Sequence, residues 1–250
     1  MSVRLDGFSP AVAQALVDFI ERHRAVSGRK IAAFDADGTL WSGDIGEVFF
    51  RDQVAQGTAP RAPKMDPWKV YCDDANGGDA VKAYGWLAQW NAGVREDDLN
   101  RWAEEFFAKH WQSRVFAPMQ TFVKELHDAG FECWVVSGSI KWVVAAGAKR
   151  YGIPFNRVIG TAVTVNGGIL TDQIDGVVPY RGGKTVMVDS VIKQRPLFAA
   201  GNTYWDKELI CTATTLGLSI HSEHPGEPNY DSEQKLQELA REKNWLSQRF

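Results

Sequence analysis

The chain has 250 residues, of which 44% are hydrophobic and 24% charged, and its formal net charge is −3. This predicts a globular protein with a full hydrophobic core, no basic footprint for nucleic acid and no membrane span, which would need about 18 consecutive apolar residues. The N-terminal stretch MSVRLDGFSP lacks the apolar core of a signal peptide, so we expect a cytoplasmic protein.

The first predicted elements are a helix and a short buried strand. Residues 10 to 26 repeat apolar side chains at helical spacing, with a proline in the first turn. Residues 30 to 34 form a continuous apolar run that ends in the stretch FDADGTLW. Carboxylates at the end of a buried strand are costly to desolvate unless they are paired, hydrogen-bonded or bound to a metal.

A predominantly helical segment follows, from residue 43 to residue 116. Its composition predicts helices near 44–55, 79–91 and 96–111. The first two are separated by a long loop that contains Pro60, Pro63 and Pro67. A loop of this length in a compact protein is usually functional or mobile.

Strands and helices alternate after residue 117. We predict a hairpin over residues 158–174 that turns at Asn166-Gly167, and a polar helix over residues 231–247. The alternation predicts an α/β fold with a doubly wound parallel sheet, built from residues 1–42 and 117–250 and interrupted by the helical segment 43–116.

Four polar side chains follow strand-like runs of this predicted sheet: Asp35, Asp37, Ser137 and Asn202. Ligands of open α/β sheets bind beyond the carboxyl ends of the strands. Asp35 and Asp37 lie two apart in an extended segment and therefore point the same way. Such a pair can divide the roles of nucleophile and acid/base, and its repulsion calls for a hard cation such as Mg²⁺.

Three later stretches complete the pattern. The stretch VVSGSIK offers the Ser137 hydroxyl and free backbone N–H groups, including that of Gly138, to an anion. The stretch RGGKTV places Lys184 at a helix start, and GNTYWD places Asn202 and Asp206 after a strand. The set predicts a phosphate group held between Mg²⁺ and a lysine.

These four motifs, in this order, resemble those of the haloacid dehalogenase superfamily. The helical insertion after the first motif, DADGTLWSGDIGEVFF and GVVPYRGGK are similar to the phosphoserine phosphatase-like and phosphocholine phosphatase-like branch. The resemblance implies a Rossmann-like core, a helical cap over residues 43–116, and a Mg²⁺-dependent phosphomonoesterase that acts through an aspartyl-phosphate.

The resemblance also implies a role for each matching residue. Asp35 is the nucleophile, and Asp37 protonates the leaving oxygen and then deprotonates water. Thr39 orients the second carboxylate and lies with the phosphate-binding groups, which are Ser137, Gly138 and Lys184. Metal ligands are expected at Asp35, Asp37, Asn202 and Asp206.

Asn202 departs from the family pattern, which more often has Asp there. An amide oxygen can still bind Mg²⁺, but the site loses one negative charge. A non-catalytic phospholigand-binding relative therefore remains an alternative, as does a phosphotransferase in which an alcohol replaces water. The second carboxylate favours phosphate ester cleavage over dehalogenation, because an alkoxide leaving group needs a proton and a halide does not.

The substrate is expected to be a small, amine-bearing phosphate ester. Asp44 aligns with the acidic residue that contacts the substrate amine in phosphoserine phosphatases, and Glu47 lies one helical turn later. Asp44 is equally suited to cap the helix that begins there. An aromatic box for a quaternary ammonium group is a further hypothesis, with packing as the ordinary alternative; its rings would be Trp41, Trp68, Tyr71, Tyr84, Trp86 and Trp90. The oligomeric state is not predicted.

Overall fold

The computed structural model describes residues 4–58 and 66–250. Pro60 and Pro63 of the predicted long loop lie outside the described residues. Among the described helices, none is both long enough and apolar enough to cross a membrane.

The described residues form the strands β1 (Lys30–Phe34), β2 (Phe131–Ile140), β3 (Val158–Thr161), β4 (Val163–Asn166), β5 (Ile169–Ile174), β6 (Phe198–Gly201), β7 (Leu216–His221) and β8 (Leu246–Arg249). Six of them form a parallel central sheet in the order β3-β2-β1-β6-β7-β8, and a separate antiparallel hairpin pairs β4 with β5.

Ten α-helices accompany these strands in the part of the chain that the structure describes. They are α1 (Pro10–Arg24), α2 (Ile45–Gln56), α3 (Pro67–Asn76), α4 (Ala80–Gln89), α5 (Glu96–Phe106), α6 (Ala117–Asp128), α7 (Lys141–Ala148), α8 (Gly182–Met187), α9 (Lys207–Ile210) and α10 (Tyr230–Lys243). Two of them, α5 and α8, continue as π-helical turns over Phe107–Trp111 and Val188–Ile192.

Alternate residues of the strands pack into two separate hydrophobic clusters. In β1, Ala32 and Phe34 join the larger cluster, whereas Ile31 and Ala33 join the smaller one. Successive side chains of a strand point to opposite faces, so the sheet is covered on both sides. The predicted doubly wound α/β fold is confirmed.

Three predicted elements differ from the structure. The long loop contains helix α3, because Asp66 caps its N-terminus and Pro67 occupies the first turn, where proline favours a helix. The predicted hairpin is split: β3 belongs to the main sheet, and only β4 and β5 pair, across Gly167-Gly168. The terminal helix stops at Asn244, which has a φ of 55°, and the chain then adds β8 to the sheet edge.

The helical segment between β1 and α6 contacts the sheet domain through α7. Gly147 of α7 allows this approach, because a Cβ atom there would stand 2.5 Å from the Trp41 ring and 2.8 Å from Phe107. Trp41 and Phe107 pack edge-to-face, with ring centroids 5.9 Å apart. The division into a core domain and a cap domain stays a prediction.

Gly147→Ala is expected to destabilise the protein, because the added methyl group has no room beside Trp41 and Phe107. Overpacking of this kind costs about 1–3 kcal/mol, which lowers Tm by several degrees in a chain of this size. Thermal unfolding measures the effect. Gly85→Ala is the control, because its Cβ would meet only Ile174, at 3.4 Å. Equal Tm values for Gly147→Ala and the wild type would contradict the packing argument.

Candidate active site

The central strands β2, β1 and β6 are neighbours, and their carboxyl ends lie side by side. Asp35 follows β1, Ser137 lies near the end of β2, and Asn202 follows β6. The backbone N–H of Asp35 donates to the carbonyl of Ala200 in β6, at 2.9 Å. All three side chains line one cavity of about 90 Å³.

Asp35 is 5% exposed, and each oxygen of its carboxylate has a partner. Thr39 donates its hydroxyl to Oδ2 at 3.1 Å, and the Lys184 ammonium donates to Oδ1 at 2.6 Å. The predicted role of Thr39 is therefore corrected, because its hydroxyl holds the first carboxylate and not Asp37. A hydroxyl four residues after Asp35 reaches back because the chain turns sharply at Gly38.

Gly38 makes this turn possible. It has a φ of 69°, a left-handed conformation that favours glycine. A Cβ atom at this position would stand 1.9 Å from Nδ2 of Asn202. The turn therefore brings the loop after β1 directly against the loop after β6.

Asp37 lines the same cavity and is held by three donors. Its Oδ1 accepts the Trp41 indole N–H and the backbone N–H of Ile45, each at 2.8 Å, and its Oδ2 accepts the Ser139 hydroxyl at 2.6 Å. Trp41, predicted among the substrate-binding residues, does not line the cavity. Its ring is fully buried, and it positions Asp37.

Lys184 links the loop after β1 to the segment after β6. Lys184 is 3% exposed, and its ammonium forms ion pairs with both Asp35 and Asp206. Burial alone would lower the pKa of Lys184, but the Asp206 and Asp35 carboxylates outweigh that effect and raise it. Lys184 is therefore a permanent cation at the base of the cavity.

Asp206 supports the loop after β6. Its Oδ2 accepts the backbone N–H groups of Asn202 and Thr203 and the Thr203 hydroxyl, at 3.0 to 3.2 Å, while Oδ1 accepts Lys184. Thr203 and Asp206 form a reciprocal capping box. Both oxygens of Asp206 are thus engaged by the protein itself, and its predicted part in metal binding stays a prediction.

Ser137 and Gly138 also line the cavity. Ser137 is buried, and its Oγ accepts the backbone N–H of Ser139 at 3.1 Å, so its own hydroxyl proton remains available to a ligand. Ser139 was not predicted as a separate site residue. Its hydroxyl contacts Asp37, which is 102 residues away in sequence, and no local pattern indicates such a pairing.

The buried carboxylates hold more negative charge than Lys184 balances. Burial, together with the nearby Asp206 and Asp37 charges, raises the pKa of Asp35 to about 7 despite the opposing effect of Lys184. Burial also raises the pKa of Asp37, against the opposing effect of its three hydrogen bonds. A site of this kind favours an additional cation.

The residues of the cavity fit a hard cation if amide and carbonyl oxygens act as ligands beside a carboxylate. Within residues 4–58 and 66–250, no three His, Cys, Asp or Glu side chains form a group that could hold a metal by themselves. A magnesium site here would use the Asp35 carboxylate, the Asp37 backbone carbonyl and the Asn202 amide, which are oxygen donors of the type that Mg²⁺ prefers.

The helical segment also contributes residues to the lining of the cavity. Asp44 lines the cavity and also caps α2, where Oδ1 accepts the backbone N–H of Glu47 at 2.8 Å. Both the capping role and the site position that were predicted for Asp44 are therefore present. Glu47 does not line the cavity, and its carboxylate accepts the Tyr71 hydroxyl.

Of the six rings in the predicted aromatic box, only Tyr84 lines the cavity. It lies beside Tyr180, with ring centroids 5.3 Å apart, and Tyr180 lies 6.3 Å from Trp205. Tyr180 and Trp205 also line the cavity but were not predicted, because they come from loops distant in sequence from the helical segment. Glu223 and Asn229 are two further unpredicted lining residues.

A family model described as haloacid dehalogenase-like hydrolase matches residues 32–210. The chain belongs to the haloacid dehalogenase-like hydrolases. This confirms the superfamily that the four motifs predicted. No curated protein matches the chain at a significant level.

Several solved structures share the fold. A conserved protein of unknown function from Anaerococcus prevotii has a TM-score of 0.73 at 15% identity, over 99% of this chain and 94% of that one. A protein of unknown function from Bordetella pertussis has a TM-score of 0.66 at 22% identity, over 88% and 98%. A phosphoserine phosphohydrolase-like protein from Francisella tularensis has a TM-score of 0.50 at 18% identity, over 76% and 87%.

Asp35→Asn is expected to stabilise the metal-free protein at neutral and alkaline pH. The pKa of Asp35 rises from 3.8 to about 7 on folding, so the folded state binds a proton that the unfolded state has lost. Stability contributed by this group is therefore complete below the lower value and is lost as the pH rises through the upper one. In EDTA, the Tm advantage of the variant should grow with pH across this window.

Thermal unfolding at a series of pH values measures this advantage. Asp189→Asn, at an exposed carboxylate that pairs with Arg195, is the control and should show no comparable trend. An advantage of Asp35→Asn that increases on acidification would contradict the argument.

Proposed function

We propose that this hydrolase is a Mg²⁺-dependent phosphomonoesterase that acts through an aspartyl-phosphate on Asp35. The observation that carries the proposal is the placement of Asp35 at the base of the cavity, between Thr39 and Lys184, with Asp37 held separately beside it. Two adjacent carboxylates with different partners can perform two different chemical roles.

In the first step, a carboxylate oxygen of Asp35 bonds to phosphorus while the ester P–O bond breaks. The Lys184 ammonium, 2.6 Å from Asp35, would neutralise the oxygens of the transferred phosphoryl group. The Ser137 hydroxyl and the backbone at Gly138, which also line the cavity, would donate to the same oxygens. These donors are fixed before the reaction, which is the condition for strong electrostatic stabilisation.

Asp37 supplies the proton for the leaving oxygen. Burial raises its pKa, which favours a protonated side chain at the start of the reaction. After the leaving group departs, the ionised Asp37 takes a proton from water, and the water oxygen attacks the aspartyl-phosphate. The hydrogen bonds from Trp41, Ser139 and Ile45 keep this carboxyl in one orientation through both steps.

Magnesium would be held by the Asp35 carboxylate, the Asp37 carbonyl and the Asn202 amide. When bound, the ion offsets the negative charges of the phosphate and of Asp35, which otherwise repel each other.

The leaving group is proposed to be small and positively charged. Beyond the Asp35–Lys184 pair, the cavity is lined by Asp44 and Glu223, and Lys184 is the only cationic side chain among its described lining residues. Burial and the nearby Asp37 charge raise the pKa of Asp44 well above its usual range, which a cationic ligand would reverse. An ammonium group bound there would relieve this unfavourable charge.

The three rings of Tyr84, Tyr180 and Trp205 support the same substrate class. Aromatic faces attract cations. One of these rings already contacts a cation, because the exposed Arg181 guanidinium lies 3.9 Å from the Trp205 ring centroid. A phosphorylated amino alcohol, such as phosphoethanolamine, phosphocholine or phosphoserine, presents a phosphate and an ammonium group in one small molecule.

The proposed chemistry predicts different effects on hydrolysis for two substitutions. Asp35→Asn should abolish hydrolysis, because the nucleophile is lost. Asp37→Asn should lower kcat on an alkyl phosphate by about 10²–10⁴-fold. The first-turnover release of p-nitrophenol from p-nitrophenyl phosphate should fall much less, because this leaving group needs no proton, although the later hydrolysis of the aspartyl-phosphate is slowed as well. Phosphate release with and without Mg²⁺ measures the steady-state losses, and the p-nitrophenol burst measures the first step.

The same assay separates the alternatives. Transfer of phosphate to an added alcohol would identify a phosphotransferase. Binding of phosphate esters without turnover at saturating Mg²⁺ would identify a phospholigand-binding protein. Full activity of Asp37→Asn on an alkyl phosphate would show that Asp37 is not the acid.

Asp44→Asn tests the proposed ammonium contact. Asparagine caps helices as well as aspartate does, so α2 should remain intact. We expect kcat/KM for phosphoethanolamine to fall by roughly tenfold or more, because a partly buried charge pair is lost. The value for glycerol phosphate, which has no amine, should change little.

Glu47→Gln is the matched control, because Glu47 lies one turn later on α2 and does not line the cavity. It should leave the preference for phosphoethanolamine over glycerol phosphate unchanged. If the Asp44→Asn variant still prefers phosphoethanolamine over glycerol phosphate, Asp44 does not take part in substrate recognition.

A further inference from the structure

Arg181 is an exposed cation beside the cavity, and the proposed reaction does not use it. Its guanidinium carbon lies 3.9 Å from the ring centroid of Trp205 and 5.0 Å from that of Tyr180. Both rings line the cavity, whereas Arg181 is not among the described lining residues. In the part of the chain that the structure describes, no carboxylate pairs with this guanidinium, and its contacts are with the two rings.

The backbone of Arg181 is strained. Its φ is 50° and its ψ is −124°, and it occupies the first central position of a turn. The Gly183 N–H closes this turn by donating to the Tyr180 carbonyl at 2.9 Å. Glycine is the usual residue at such a position, and another residue persists there only where its surroundings hold it. The ring contacts of the side chain therefore account for an arginine at a position that suits glycine.

A ring face in contact with a guanidinium cannot accept a second cation at the same place. Arg181 lies at stacking distance from Trp205 and also contacts Tyr180. Of the three rings that line the cavity, Tyr84 alone has no cation contact within the described residues. An ammonium group that enters the cavity must therefore displace Arg181 from its rings or contact Tyr84 only.

We infer that Arg181 is a specificity-determining residue, whose guanidinium competes with the ammonium group of the substrate for the rings of Trp205 and Tyr180. This inference rests on the proposed function. The competition affects two classes of substrate unequally. A quaternary ammonium group has no N–H to donate and depends on aromatic faces, whereas a primary ammonium group can donate hydrogen bonds to Asp44. The wild type should therefore favour phosphoethanolamine over phosphocholine.

Arg181→Gln tests the competition, because it removes the guanidinium and uncovers the rings. We expect kcat/KM for phosphocholine to rise about two- to thirtyfold, which is the range that one cation–π contact is worth. The rise for phosphoethanolamine should be smaller. The matched substrate is the analogue of phosphocholine that has carbon in place of nitrogen. It has the same shape and no cation, so its kcat/KM should change much less.

Lys207→Gln is the matched control variant. The Lys207 ammonium lies 3.8 Å from the ring centroid of Tyr204, which is not among the described lining residues, and 5.9 Å from that of Trp205. This variant removes one positive charge near Trp205 but leaves Arg181 on the ring. The preference between phosphocholine and its carbon analogue should match that of the wild type.

The affinity for choline gives a readout that does not depend on hydrolysis. Isothermal titration calorimetry with choline should show a Kd that is lower in Arg181→Gln than in the wild type, by a factor in the same range. Arg181→Gly is a second variant for the same measurement. Glycine adopts this backbone conformation without strain, so the turn before Lys184 is kept while the rings are uncovered. It should show the same gain.

Three results would overturn the inference. The first is a choline affinity that is unchanged in both variants of Arg181. The second is an equal gain for phosphocholine and its carbon analogue, which would show that Arg181 only fills space. The third is a KM that rises for every phosphate ester, which would identify Arg181 as a contact for the anionic part of the substrate.

These failures are distinct from failure of the proposed function. If the wild type hydrolyses phosphate esters in the presence of Mg²⁺, the proposed function stands and only the role of Arg181 fails. A wild type that hydrolyses no ester would refute the proposed function, and the choline titration would still decide whether Arg181 competes with a cation.

Discussion

The burial of several carboxylates around a single ammonium is the constraint on which the rest of the site depends. Asp35, Asp37 and Asp206 line one cavity, and Lys184 is the only cation that the described lining residues provide. Like charges in a low-dielectric site are unfavourable unless each is hydrogen-bonded or paired. Each carboxylate accordingly accepts hydrogen bonds from the protein, and Lys184 donates to both Asp35 and Asp206. The fold therefore holds buried acidic groups close together, an arrangement that is poor for stability and that the proposed function would use to bind a cation.

The parallel sheet makes this concentration of charge possible. Because the carboxyl ends of β2, β1 and β6 are adjacent, three loops with no sequence proximity supply their side chains to one place. Short-range contacts then hold these loops in place. Gly38 allows the first loop to contact Asn202, and the capping box of Thr203 and Asp206 stiffens the third loop. Rigid support of this kind is what electrostatic stabilisation of a phosphoryl group requires.

The sequence was most informative where the signal is local. The run from Lys30 to Asp37 combines an apolar strand with two carboxylates at fixed spacing, so both the strand and the acidic pair could be predicted. The partners of these carboxylates could not, because the hydrogen bond between Ser139 and Asp37 joins residues 102 apart and depends on how the strands align. The same reason explains why the aromatic residues that line the cavity could not be predicted. Trp41 and Trp68 were natural candidates by proximity, yet the rings that line the cavity with Tyr84 are Tyr180 and Trp205, which no sequence spacing relates to it. Helix α3 was missed for a different reason, since Pro67 was interpreted as a loop residue although it occupies a first helical turn.

The two sides of the cavity differ in how their residues are held, and this bears on how specificity could change in such a site. Asp35, Asp37, Lys184 and Asn202 are each fixed by buried hydrogen bonds to other residues of the site, so a change at one of them disturbs the others. On the substrate side, Trp205 remains 36% exposed and Tyr84 and Tyr180 contact each other only through their rings. Ring contacts restrict which amino acid can occupy a position less than buried hydrogen bonds do, because no polar group is left unsatisfied when a ring is replaced. In the proposed reaction, the chemical step would therefore use the interdependent side of the cavity, whereas the rings proposed to contact the leaving group can vary with little cost to the fold.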